Sequence, residues 1–262
     1  MRFGMPTLIE LPGIEDCAVL CKALNLDFIE LNMNLPQYQL PGIDAVSLKR
    51  IAEVYGISYT IHLDENLNIS DFNPYVADAY RRTAAETGAL AGELGVPVLN
   101  MHLSRGVYFT LPDRKVYLFD EYREQYLKSI TDFRDLCERL IGNADIRICI
   151  ENCSGFTEFQ KEALELLLSS PVFGLTFDIG HNHGCQNADA PFIAGHKARL
   201  CHMHMHDALG KKNHLALGTG ELDIEKYLVL AEKRKCAVVL ETKTVEGLKQ
   251  SVNWLRQKTE YL

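Results

Sequence analysis

The chain has 262 residues, 47% of them hydrophobic and 24% charged, with a formal net charge of −8. That is ordinary globular composition: no run approaches the ~20 apolar residues of a transmembrane helix, and the acidic balance speaks against a protein that coats nucleic acid. The eight cysteines are scattered without a CxxC pair, which points to reduced structural thiols rather than a disulfide framework.

The start, MRFGMPTLIELPG, lacks the basic-then-apolar pattern of a secretory leader, so a cytoplasmic protein is expected. One unit then repeats: a short apolar strand, a loop and an amphipathic helix. RFGMPTLI is the first expected strand, followed by a helix over Ile14 to Leu24; FIELNMN is the second, with a helix from Ile43 to Tyr55. ISYTIHL precedes a long helix from Pro74 to Leu94 that stops at Gly95. PVLNMHL is followed by a longer loop with Gly106 and Pro112, then a helix from Phe119 to Leu140. IRICIEN precedes a helix over Phe159 to Leu168, and VFGLTFDIG a short helix near Ala190 to Lys197. RLCHMHMHD precedes a helix over Ile224 to Lys235, and CAVVLET a closing helix from Val245 to Gln257.

Alternating strands and helices imply right-handed crossovers and a parallel sheet. Eight such units in about 250 residues imply a single closed (β/α)8 TIM barrel, and no linker or composition break divides residues 1–262 into more than one domain. A doubly wound open sheet would want a Gly-rich phosphate turn after an early strand. The first turn here is IELPGIED.

The chemistry lies where the strands end. His62, His102, Glu151, Asp178, His204 and Glu241 fall at the C-terminal ends of strands three to eight. Each follows an apolar residue (Ile61, Met101, Ile150, Phe177, Met203, Leu240), so all six share one parity and face the barrel lumen. A lone His at a strand end is more often a hydrogen-bonded barrel residue than a ligand. Three carboxylates and three imidazoles converging on the catalytic mouth are different, because like charges at close range repel and a divalent cation relieves the cost. Imidazole and carboxylate without a thiolate cluster suit Zn, Mn, Co or Fe. His181 and His214 add two further imidazoles. Arg105, Lys212 and Lys243 are candidates for binding an anionic tail of a substrate. His202 is expected to fill the lumen, His206 to hydrogen-bond at a loop edge, and His183 and His196 to lie on loops or the surface. Cys17 and Cys21, one helical turn apart, are expected in the core. Glu30, near the end of strand two, can reach the lumen and is assigned no role.

The motifs IHLDENLNIS, NMHLS, IENCSG, TFDIGH, MHMHD, HLALGTG and VVLET occur in this order on these strands. Together they resemble the xylose isomerase-like TIM barrel superfamily, which joins AP endonuclease family 2 (endonuclease IV) with sugar isomerases and epimerases. The resemblance implies one metal on Glu151, Asp178, His204 and Glu241. In the epimerase branch the two glutamates flank the substrate carbon and act as acid/base pair, passing a proton through an enediolate, and His181 contacts substrate. The endonuclease branch adds a second zinc on His62, His102 and the bridging Glu151, so one ion is expected and a second left open. A third zinc there uses the counterparts of His181 and His214 with an aspartate, where this chain has Lys212. The tyrosine three residues after the first histidine is Glu65, and the glycine- and tyrosine-bearing stretch after DxxH is absent.

These departures set the expectation: a metal-dependent isomerase or epimerase of a sugar, sugar phosphate or related polyol. Glu151, Glu241 and His181 would be catalytic, and His181, His214, Lys212 and Arg105 would bind substrate. The alternative is a two-metal phosphodiester hydrolase. A small-molecule substrate is expected, with no membrane and no nucleic acid partner; homo-oligomerisation is left open.

Overall fold

A computed structural model describes residues 1–258 of the chain. Eight strands close a parallel barrel: β1 (Arg2–Pro6), β2 (Phe28–Asn32), β3 (Ser58–His62), β4 (Val98–His102), β5 (Arg147–Glu151), β6 (Phe173–Asp178), β7 (Leu200–Met205) and β8 (Ala237–Leu240). Each pairs with its neighbours in sequence, and β1 pairs with β8 to close the ring. This is the single (β/α)8 barrel expected from the alternation of elements.

The outward parity of the strands is apolar and buried: Ile29, Leu31, Ile61, Leu99, Met101, Ile150, Phe177, Met203 and Leu240 pack under the helices. The inward parity carries Glu30, Thr60, Asn100, Glu151, Thr176, Asp178, His202 and His204, equally buried. Both faces of every strand are therefore lost to water, and polar residues persist only on the lumen side, where they can satisfy one another.

The helices start where side chains can accept the free N–H groups. Asp44 accepts from Val46 and Ser47 before Ala45–Tyr55, Asp223 from Lys226 before Ile224–Arg234, and Thr157 forms a reciprocal cap with Gln160 before Glu158–Leu168. Gly56 and Gly95 end their helices in the left-handed conformation (φ 64° and 67°).

Four departures from the expected pattern lie outside the barrel wall. The helix expected from Phe119 to Leu140 is Leu118–Glu121 followed by Arg123–Ile141; Tyr122 leaves helical geometry, and its ring packs edge-on against Phe72. The β4 loop folds into a hairpin of Tyr108–Thr110 with Lys115–Tyr117, and the β7 loop into one of Asp207–Leu209 with Lys212–Leu215. Strands of three or four residues are too short to carry a readable period. The expected helix from Ala190 to Lys197 ends at Gly195, and a further helix, Ile179–Gly184, precedes it. That helix is started by Asp178, whose side chain accepts from His181 N–H, rather than by an apolar period. No described helix is long and apolar enough to cross a membrane.

Candidate functional site

The closed barrel brings the strand ends together. β4 and β5 pair His102 with Glu151, β6 and β7 pair Asp178 with His204, and β8 delivers Glu241 just past its last bond to Met205. Glu151, Asp178, His204 and Glu241 each offer one ligand atom, all within 4.8 Å of one another, and all four side chains are buried. At their centre stands His204 Nδ1. It lies 3.2 Å from Glu151 Oε1, 3.4 Å from Glu241 Oε2 and 4.0 Å from Asp178 Oδ2, and has no hydrogen-bond partner. Glu241 Oε2 is likewise buried without one. A buried imidazole nitrogen and a carboxylate oxygen without partners, beside two further converging carboxylates, are what a divalent cation satisfies, so the donor set fits the ion that the motifs imply.

Each of these four side chains except His204 is held from behind. Glu151 Oε2 takes Asn100 Nδ2, His102 Nε2 at 3.2 Å and His62 Nε2 at 3.4 Å. Asp178 Oδ1 accepts from His181 N–H at 2.6 Å, while its Oδ2 lies 3.1 Å from His206 Nε2. The Asn152 amide bonds both the N–H and the carbonyl of Asp178, at 2.9 Å each. Glu241 Oε1 accepts from Lys243 Nζ at 2.8 Å.

Charge follows geometry. Burial alone would raise the Glu151 and Glu241 carboxyls, but His204 and the other cations beside each hold both well below the usual carboxylate range. Burial opposes a charged ring at His62 and His181, and Glu151 overrides it, lifting both to about 9. Burial pushes His214 the other way, to about 4, against the pull of Glu241 and with His206 and Lys243 adding to the drop. Acidic and basic groups thus crowd one small buried volume, as an acid/base site requires.

The expected residues are placed unequally. His62, His102, Glu151, Asp178, His181, His204, His214 and Glu241 converge. His214 Nδ1 is 3.1 Å from the Glu241 carbonyl and 3.7 Å from its Oε2, and the residue adopts a left-handed backbone (φ 54°) on the hairpin. Asp207 builds that segment: its two oxygens accept from Ala208, Gly218, Gly220 and Leu222 N–H groups. The Gly-x-Gly turn exists because a Cβ at Gly220 would collide with Asp207, and one at Gly218 with Trp254.

Arg105 lines a cavity of about 240 Å³ with Glu65, His102 and Glu151, but its guanidinium is bound to the Ser154 and Gly155 carbonyls. Lys212 is exposed and, among the described residues, forms no ion pair with the cluster. His206, expected at a loop edge, is fully buried and bonded to Asp178, with Nδ1 accepting from His214 N–H at 2.8 Å. A Cβ at Gly180 would overlap its ring, which explains the glycine of the DIGH motif. His202 fills the lumen against Glu30 as expected, while His183 and His196 pair with Glu221 and Glu165 outside the cluster. Cys17 and Cys21 are buried in the core. The sequence reading passed over Asn100, Asn152 and Asp207. Asn100 shared the lumen parity with the ligands, a usable signal; Asn152 and Asp207 sat beyond the strands, where parity says nothing.

The xylose isomerase-like TIM barrel family model matches residues 18–258. The chain belongs to that family. The solved barrels similar to it include a D-tagatose 3-epimerase-like protein at 21% identity and TM-score 0.79, covering 99% of this chain and 97% of that one. The 3-keto-D-glucoside 4-epimerase of E. coli is 15% identical with TM-score 0.76 over 98% and 99% of the two chains. A D-allulose 3-epimerase from Methylomonas sp. is 14% identical with TM-score 0.74 over 100% and 97%. No curated protein sequence matches the chain. At these identities the likeness establishes the xylose isomerase-like fold; the chemistry must be argued from the site.

Proposed function

We propose that the protein is a divalent-metal-dependent isomerase or epimerase acting on a sugar or related polyol, with residues 1–262 working as one barrel domain. One observation carries the reading: Glu151 and Glu241 approach His204 Nδ1 from two strands, at 3.2 and 3.4 Å. Glu151, Asp178, His204 and Glu241 would hold the ion, which would polarise a carbonyl and its neighbouring hydroxyl and acidify the adjacent C–H. One glutamate removes that proton and the other returns one, at the neighbouring carbon or on the opposite face. His181, whose Nδ1 has no hydrogen-bond partner, steadies the negative oxygen that develops. Lys243 holds Glu241 Oε1 and so fixes which oxygen turns to the substrate. A neutral ketose or polyol fits better than a phosphate ester, because Arg105 and Lys243 are already engaged and Lys212 stands apart. The epimerases among the similar barrels support the same class.

The test is elemental analysis of untagged protein, followed by a panel of ketoses in deuterated water. About one Mn, Co, Fe or Zn per chain, with deuterium entering beside the carbonyl, is the expected result. A second reading, a two-metal phosphodiester hydrolase, is favoured by His62 and His102 on the far oxygen of Glu151. Two zinc per chain and cleavage of phosphodiesters would establish it instead.

A further inference from the structure

One layer below the ligands lies a buried carboxylate that the proposed chemistry does not use. Glu30 of β2 is 1% exposed. Three groups from two other strands converge on it. Thr60 Oγ1 donates to Oε2 at 2.9 Å, His202 Nε2 lies 2.9 Å from the same oxygen, and His204 Nε2 lies 2.9 Å from Oε1, a charge contact outside hydrogen-bond alignment. His204 is thus caught between two acidic surroundings, Glu30 at Nε2 and the three ligand carboxylates at Nδ1.

We propose that Glu30 is a positioning residue that keeps the His204 proton on Nε2, so that Nδ1 presents its lone pair to the ion. The purpose of this arrangement rests on the metal-centre reading above. Without Glu30, the carboxylates around Nδ1 would draw the proton to that side, and a protonated nitrogen cannot coordinate. Only a carboxylate meets the demand on Glu30. A glutamine has one acceptor oxygen, and its amide N–H₂ would have to face His202 or His204 Nε2 as donor against donor. His202 can answer by moving its proton, because its Nδ1 is without a partner. His204 can answer only by taking the proton onto the coordinating nitrogen. Metal-bound histidines held by a carboxylate on the second nitrogen lose about 10- to 100-fold in metal affinity when that partner is removed.

The experiment titrates zinc into metal-stripped protein against a chromophoric chelator, with melting temperature as the control for folding. Glu30→Gln is expected to raise the zinc dissociation constant about 10- to 100-fold. In the zinc-loaded wild type, 15N spectra are expected to show His204 protonated at Nε2. His202→Asn, which also disturbs Glu30 but leaves His204 its partner, is expected to bind zinc as the wild type does. If Glu30→Gln does not fold, Glu30→Asp is measured in its place and is expected to bind zinc more weakly than wild type. Wild-type affinity in the Glu30 variant, equal weakening by His202→Asn, or a proton on His204 Nδ1 in the loaded protein would each overturn the assignment. Failure of the wild type to bind zinc would instead sink the metal-centre reading, so the two failures are distinct.

Discussion

The two mouths of the barrel are built by the same strands and differ in chemistry. The C-terminal mouth gathers Glu151, Asp178, Glu241 and six imidazoles. The N-terminal mouth gathers Arg2, Arg147, Lys235 and the thiols Cys201 and Cys236 around a cavity of about 460 Å³. There Arg2 lies over the Phe28 ring at 5.4 Å, and the Cys149 and Cys201 thiols close over Gly174, where a Cβ would stand 3.2 and 3.0 Å from them. The basic mouth has the larger cavity; the one beside Glu151 holds about 240 Å³. Size therefore does not mark the acidic mouth. What marks the acidic mouth is a set of buried polar atoms without partners, His204 Nδ1, His181 Nδ1 and Glu241 Oε2, where an ordinary interior would have satisfied each one.

Four experiments would break or sharpen this contrast. The largest effect is expected from Glu151→Gln or Glu241→Gln, each lowering turnover about 10³-fold or more on whichever ketose reacts, because a positioned acid or base is worth 10²–10⁴-fold and each is also a proposed ligand of the ion. Circular dichroism should show both variants folded; full turnover by either sinks the pair.

Stripping the metal comes next. At 100 times its dissociation constant a bound ion stabilises by about 2.7 kcal/mol, which for a chain of this size is a melting-temperature difference of roughly 5–10 °C. The stripped protein should also respond to pH in a definite direction. His62 and His181 are raised from 6.5 to about 9, so their contribution is full below pH 6.5 and is lost as pH rises through about 9. Its melting temperature should fall between those values, with the loaded protein changing less. A rise in the stripped protein over that window would contradict the assignment.

A smaller effect is expected from His206→Asn. The ring contacts Asp178 Oδ2 and is not one of the four proposed ligands, so metal affinity should drop about tenfold, measured by the same chelator competition; an unchanged affinity would return His206 to a packing role.

The smallest is at the opposite mouth. Cys201→Ser should leave turnover unchanged. The Cys149 S–H holds the Cys201 thiol down at about 7 against burial, helped by Arg147 and Arg199, whereas burial pushes Cys137 and Cys236 up to about 12. Iodoacetamide labelling should therefore rise at Cys201 as pH passes about 7, the thiolate being the reactive form, with Cys137 and Cys236 silent and catalysis intact. Loss of activity on labelling would show that the two mouths communicate.

Much of this molecule is legible in the chain. A strand alternates its side chains by rule, so shared parity at Glu151, Asp178, His204 and Glu241 fixes which face they take, and eight strand–helix units dictate closure. Parity fails where the backbone leaves the strand. Asp207 and Asn152 act from loops, Lys212 swings outward on a hairpin that no period announces, and Arg105 is taken up by two carbonyls. It fails also for depth: Glu30, His202 and His204 share a parity, but the stagger of the strands sets Glu30 under His204 within 2.9 Å. Which side chains face inward is a property of the local chain. Which of them touch is decided by register and closure, because residues as far apart as Glu30 and His204 meet only when the ring is complete.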